Sequence, residues 1–316
     1  MTSYIVRRLI DLAFVLFGVS VLVFLIIRLI PGDAVAIMLG ANTDITPERV
    51  AALRRSLGLD LPIWEQYGQW IAGVVQGDLG RSIWTGRSVT GEIMARLPVT
   101  LEITFLALLF ALLASFPLGV AAAQARGSAS DAAVRVVSII GLTLPSFWVG
   151  VLMLYFVSLY LPSWSTIGYV PFSDDPLGNL SRMVLPVIAV SLPMIAGLSR
   201  ILRSSLLEVL RLDYIRTARA KGVSGHSQLY KHALRNALIP VITVIGVQVG
   251  YLLSGVVVIE QVFAIPGLGR LVIGAINERN YPLVQGIILV VTGVFVLVNL
   301  LVDLAYAWID PRVEYS

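Results

Sequence analysis

The chain has no cysteine, two histidines and little charge. Without cysteine there is no disulfide framework and no thiolate metal site. His226 and His232 stand six residues apart, a spacing that does not put two metal ligands on one helix face. Charged residues make up 13% of the 316, against roughly a quarter in soluble domains. A water-soluble chain of this length would need far more polar surface to cover it. No Gly-rich phosphate loop ending in Lys-Ser/Thr is present, and the nearest glycine pair, in Pro266-Gly267-Leu268-Gly269, reads as a turn. ATP hydrolysis by that route is excluded. No catalytic constellation, cofactor site, internal repeat or low-complexity tract is found.

What the chain has instead is apolar length. Its hydrophobic fraction is 57% and its mean hydropathy +0.87. A membrane-crossing helix needs about 20 mostly apolar residues. Six segments qualify: Leu9 to Ile30, Val99 to Ala125, Val136 to Leu161, Met183 to Leu202, Ala237 to Ile259 and Leu283 to Ile309. The fourth is short and carries Pro186, Pro193 and Arg200. The first follows Arg7-Arg8 like a signal peptide, yet Leu29-Ile30-Pro31-Gly32-Asp33 is no small-residue cleavage site, so a retained helix is expected. The expected fold class is an all-α integral membrane bundle of six transmembrane helices, a single domain over residues 1–316.

Net charge is +4 and the pI about 9.5. Arg7 and Arg8 precede the first span, Arg126 and Arg135 flank the turn between the second and third, and eight Lys and Arg fall between Arg200 and Arg235. Positive charge marks cytoplasmic loops. All three basic segments fall on one side of a six-span count, so both termini are expected in the cytoplasm, and the basic pI needs no nucleic-acid partner. The long loop 31–98 then lies outside. Thr46-Pro47-Glu48 has the chemistry of a helix start, with Val50, Leu53 and Leu57 as its apolar face and Gly58 as its end. Pro62 to Val75 reads as a second helix with Trp64, Tyr67, Trp70 and Ile71 on one side, and Ser88 to Leu97 as a third. Helices of this kind suit either the outer membrane interface or a small cap packed on the bundle.

Intramembrane charge is scarce. Asp303 is the carboxylate furthest inside a span, less than two turns from the cytoplasmic end of the sixth. Ion-coupled carriers usually hold ionisable groups near the midplane, so a carrier without an ATPase partner is the alternative class, and a membrane scaffold without transport a third. The segment from Leu212 to Pro240, which overlaps the cytoplasmic stretch 203–236 and runs into the fifth span, carries the most information. Asp213 is placed to cap a helix running to Lys221, Gly222 to break it, and Ser224 to cap a second short helix from near Gly225. Two short helices bent at glycine make a knob. Ala218 and Gly222 are small enough to let a partner's backbone approach, and Arg216 and Lys221 can pair with an acidic groove. A solvated positive-inside loop is the plainer reading of the same charges.

This stretch resembles the Glu-Ala-Ala loop of permeases of ATP-binding-cassette (ABC) importers. Arg216-Thr217-Ala218 stands in the place of Glu-Ala-Ala, Gly222 follows after three residues, and Leu234 falls on the consensus leucine. His232 and Arg235 depart from the consensus Ile and Pro. The whole chain resembles the first-type permease of the dipeptide, oligopeptide, glutathione and nickel importers, a branch that also carries Arg-Thr-Ala. The matching stretches are Leu29-Ile30-Pro31-Gly32-Asp33, Leu57-Gly58-Leu59-Asp60, Gly77-Asp78-Leu79-Gly80, Arg96-Leu97-Pro98-Val99-Thr100-Leu101, Pro145-Ser146-Phe147-Trp148, Phe263 to Arg270, Tyr281-Pro282-Leu283-Val284-Gln285 and Asp310-Pro311-Arg312.

The resemblance implies a type I ABC importer permease in a bacterial inner membrane. Its partners would be a related second permease, two ATP-binding-cassette ATPase subunits, an extracytoplasmic solute-binding protein and the lipid bilayer. It assigns ATPase coupling to the loop that here carries Asp213, Arg216, Thr217, Ala218, Lys221, Gly222 and Leu234. Candidates for the solute pathway are the polar groups on apolar spans: Thr143 and Ser146 beside Pro145, which can kink its helix, and Gln248, Tyr251 and Ser254 on the fifth span. Helix-helix packing explains the same residues. Cargo is not readable from the chain.

Overall fold

A computed structural model of the chain describes residues 2–29 and 60–309, and these are almost wholly helical. The helix expected from Thr46 to Gly58 and the stretches 30–33, 57–59 and 310–312 lie outside them, as does the side chain of Asp303. The helices are α1 (Thr2–Leu29), α2 (Ile63–Val75), α3 (Val89–Gln124), α4 (Ala129–Thr143), α5 (Ser146–Tyr160), α6 (Pro176–Val209), α7 (Asp213–Ala220), α8 (Leu234–Val262), α9 (Leu268–Asn277) and α10 (Tyr281–Ile309). One turn at Gly225–Ser227 and a π-helical stretch Gln228–Ala233 lead into α8. In hydrocarbon only internally bonded backbone is stable, which is why apolar runs of this length become helices.

Among the described residues, five stretches are long and apolar enough to cross a membrane: Val6–Ile26, Val89–Gln124, Pro176–Val209, Gly225–Val262 and Tyr281–Leu301. A sixth is reached if α4 and α5 count together, although they meet at 104°. The third expected span is thus broken, not merely kinked. Leu144 is driven to extended backbone by the proline that follows it, and Pro145 becomes the N-cap of α5. Two further expectations change. The short helix expected from Ser88 to Leu97 is the first part of α3, which continues through Pro98. The fourth span, expected from Met183 to Leu202, is a helix of 34 residues that absorbs Pro186 and Pro193, and it is the most buried of the spans. Each proline removes one hydrogen bond and crowds the preceding turn, a cost that the burial of this helix outweighs.

The chain divides into two compact units. The first comprises 1–98 and 270–296. Here α2 lies against α1: Tyr67 and Trp70 pack on Phe24, with centroids 5.2 and 5.7 Å away. Ser20 spends its hydroxyl proton on the Phe17 carbonyl, so the Tyr67 phenol donates to Ser20 Oγ at 2.8 Å. Tyr67 and Trp70 thus pack on α1, while Trp64 stays 74% exposed. The Gly77–Gly80 turn uses left-handed backbone at both glycines. It tucks Leu79 toward Gly286 of α10, where Val89 and Ile93 leave no room for a β-carbon. Asn280, 1% exposed, donates to Ser82 Oγ and accepts from the Ile83 N–H.

The second unit comprises 99–269 and 297–316, and α6 is its centre. Glycines let the neighbours approach. A β-carbon on Gly119 of α3 would meet the Ser199 carbonyl at 2.9 Å, one on Gly141 of α4 would meet Ala196 at 3.2 Å, and one on Gly255 of α8 would meet Val190 at 3.2 Å. Met183, Leu198, Leu202 and Leu206 fill the core between them, each at most 2% exposed.

Candidate coupling site and translocation path

The knob is built at the end of α6. Leu212, not Asp213, is the N-cap of α7, and its extended backbone turns the chain. Asp213 is the first helical residue, where its carboxylate suits the helix dipole and accepts from Arg216 at 3.2 Å. This pair is exposed and contributes little to stability. Ile215, fully buried, anchors α7 to the core that includes Leu206, Leu229 and Ala233. Gly222 ends the helix at φ +79, with the Gly222 N–H on the Arg219 carbonyl and the Val223 N–H on the Ala218 carbonyl. That pairing is the usual glycine-dependent helix stop. Ser224 caps the next turn by accepting from the Ser227 N–H.

The second helix of the knob is not short. The helix runs from Gly225 through the π-helical stretch and past Pro240 to Val262, so one arm of the knob is the membrane helix itself. Asp213, Arg216, Thr217, Lys221 and Gly222 are exposed, and Ala218 is half-buried. A β-carbon on Gly222 would meet nothing. Leu234 is 8% exposed and belongs to the core, so it holds the knob from behind. Two fasteners lie beyond what the sequence pattern suggests. Gln228, 5% exposed, donates to the Val223 carbonyl at 2.6 Å, and its oxygen accepts from Arg219. The Tyr214 phenol donates to the His232 carbonyl and accepts from Asn236. Such pairs join residues 5 to 22 positions apart, beyond what helical periodicity reports.

The pathway candidates separate into two sets. Tyr251 is 72% exposed and shares a stripe of α8 with Val247, Ser254 and Val258. The Ser254 hydroxyl returns to the Gly250 carbonyl, and the Thr143 hydroxyl to the Ile139 carbonyl, so both satisfy themselves within their own helix. Ser146 faces inward toward Gly255 of α8, and Gln248 lies over Gly197 of α6, where a β-carbon would meet its amide nitrogen at 2.9 Å. The structure brings α5 and α8 together at Ser146 and does not gather all five residues into one cluster.

Two buried carboxyl groups brace this unit. Glu260, fully buried, accepts from the Thr100 hydroxyl at 2.6 Å and from the Gly269 N–H at 2.7 Å. Thr100 in turn accepts from the Leu268 N–H at 2.8 Å. A β-carbon on Gly267 would collide with this carboxyl group. At the other end of α3, Asp131 accepts two bonds from the Arg203 guanidinium, at 2.7 and 2.9 Å, and one from the Gly127 N–H. Asp131 is the sole acid between Arg126 and Arg135, a signal that was available but had no visible partner. In the loop before α6, burial and then the hydrogen bond to Glu102 push the Tyr169 phenol up to about 12, which keeps it a donor.

Long apolar helices, packed in the second unit around α6, with an exposed basic knob beyond its end, define a helical membrane protein. The chain belongs to the family of binding-protein-dependent transport system inner membrane components, which matches residues 115–315, and the N-terminal region of such components matches residues 1–104. It is 41% identical to the dipeptide transport system permease protein DppB of Escherichia coli (strain K12) and 39% identical to DppB of Alkalihalophilus pseudofirmus, each over the full length of both chains. It is therefore a multi-pass inner-membrane permease subunit of a binding-protein-dependent ABC importer. It works with other ABC components and a solute-binding protein, and the ATPase resides on separate subunits. The ion-coupled carrier is not favoured.

Proposed function

We propose that this chain forms half of the translocation pathway of a peptide importer, paired with a related second permease and driven by two ATPase subunits, one of which seats on the Gly222 knob. The whole chain acts as one permease domain, with 31–98 as an extracytoplasmic insertion, 203–236 as the coupling loop and both termini in the cytoplasm. The observation that carries the coupling role is the knob itself: an exposed, left-handed glycine with open space above it, on a basic hairpin whose arms are α7, which follows α6, and the start of the helix that becomes α8. A surface built so close to two membrane helices moves only if they move. Asp213, Arg216, Thr217, Ala218 and Lys221 would line the contact, and Leu234 would support it. The peptide assignment draws on the names of the dipeptide permeases to which the chain is similar over its full length.

ATP drives transport only if ATP and the loaded binding protein each prefer one conformation of the complex. Thr143, Ser146, Gln248, Tyr251 and Ser254 would face the path in one of those states. The decisive experiment is Gly222→Trp. A β-carbon there meets no atom of this chain, so insertion should persist, while an indole on the contact surface should reduce ATP-driven uptake by at least about a hundredfold, equivalent to some 3 kcal/mol of coupling. Normal uptake by the inserted variant would refute the coupling role. Co-purification of a second permease and two ATPase chains tests the stoichiometry, and mass spectrometry of the ligand held by the binding protein tests the cargo.

A further inference from the structure

The knob hangs from α6, and α6 touches α4 through an ion pair as well as through packing. Arg203 lies six residues before the end of α6 and ten before α7 begins. Its Nε and one terminal nitrogen both reach Asp131, near the start of α4. The pair is well enclosed: the Asp131 side chain is 2% exposed and that of Arg203 18%. Asp131 is itself fixed. Its backbone N–H is capped by Ser128, Gly127 enters the turn at φ +82, and the Gly127 N–H also donates to the carboxylate. Arg135 approaches from the next turn at 3.9 Å and is largely exposed. A two-pronged guanidinium bond fixes direction as well as distance, which a single lysine contact does not. Further along, Gly141 packs on Ala196 of α6. Thus α4 is held to α6 at two points, and beyond α4 the chain turns by 104° into α5, which carries Ser146 against α8.

We infer that Asp131 and Arg203 are positioning residues for coupling: a rigid joint that passes displacement of the Gly222 knob from α6 into the broken α4–α5 pair and so to the path. This rests on the coupling role of the knob. Without the joint, α6 would still pack on Gly141 through apolar contact, which tolerates sliding, and ATP would be hydrolysed without moving α4.

The test measures ATP hydrolysed per labelled dialanine imported, in liposomes holding the complete transporter and its binding protein. Arg203→Met and Asp131→Asn should raise that ratio at least about fivefold, while Arg203→Lys, which keeps the charge, should lie nearer the parent. Since either single change leaves one buried partner without the other, the double variant Asp131→Asn/Arg203→Met guards against misassembly, because it removes both charges. It should assemble and remain uncoupled. An unchanged ratio in assembled variants, including uptake and hydrolysis falling in parallel, overturns the inference, as does failure of every variant to assemble, which would assign the pair to folding alone. If Gly222→Trp blocks uptake while these variants couple normally, the knob keeps its role and only the joint is lost.

Discussion

Two helices in the second unit stop in the same backbone motif and are treated in opposite ways. At the end of α7, Gly222 takes the left-handed position and the Val223 N–H reaches back to Ala218. At the end of α8, Ala264 takes that position at φ +55 and the Ile265 N–H reaches back to Glu260 at 2.8 Å. The first stop is exposed, and its residue of choice carries no strain. The second uses a residue that disfavours the conformation by about 1–2 kcal/mol, and the residue whose backbone carbonyl it bonds, Glu260, spends its buried carboxyl group on Thr100 and Gly269 just beyond the turn. One turn is finished within the chain. The other is left open, with nothing above its glycine. The contrast separates a turn closed by the rest of the fold from a turn that faces open space.

The largest effect should come from removing the internal brace. Glu260→Ala leaves the Gly269 N–H and the Thr100 hydroxyl without their acceptor in the core. Unsatisfied buried donors cost about 1–3 kcal/mol each, so a loss of roughly 2–5 kcal/mol is expected, read as a lower melting temperature of the purified transporter. Glu260→Gln keeps the shape but turns one acceptor into a donor that faces a donor, and it should lose less. Stability equal to the parent in both variants would mean that the turn does not depend on its brace.

Gly222→Ala comes next and sharpens the contrast from the other side. The added methyl group meets no atom, so its cost is backbone strain, offset in part by the freedom alanine removes from the unfolded chain, and comes to about 1 kcal/mol or less. The folded chain should notice it less than Glu260→Ala by a clear margin. If the knob docks as proposed, uptake should fall more than this small stability change explains. A melting temperature lowered as far as by Glu260→Ala would contradict the picture of an open turn.

How much of this could be read beforehand follows from the range of each interaction. The spans are written in local hydropathy, and so are the Gly222 stop and the Ser224 cap, because each depends on neighbours within a few residues. The break at Pro145 was half legible: the proline was visible, but its outcome depended on whether packing would carry the helix past it, as packing does at Pro186. The same prolines made α6 look marginal when it is the core of its unit. Glu260 and Thr100 are 160 residues apart, and Asp131 and Arg203 are 72 apart, so no periodicity links them. Two of the stretches that carried the family resemblance, the one containing Thr100 and the one from Phe263 to Arg270, are the two sides of the Glu260 cluster. Their resemblance was legible while its physical reason was not.

The smallest effect tests the comparison most finely. Ala264→Gly at the braced stop should relieve the left-handed strain, about 1 kcal/mol, but glycine also adds freedom to the unfolded chain worth about 0.4–1 kcal/mol. The two nearly cancel, so the variant should melt within about 0.5 kcal/mol of the parent. The informative double variant combines it with Glu260→Ala. If Glu260 holds Ala264 in its strained conformation, glycine should matter more once the brace is gone, and the pair of changes should recover at least about 0.5 kcal/mol relative to the sum of the singles. Strict additivity would mean that the left-handed alanine is set by the packing of Phe263 and Ile265, both buried beside it, and that the carboxyl group braces only the Leu268–Gly269 side of the turn.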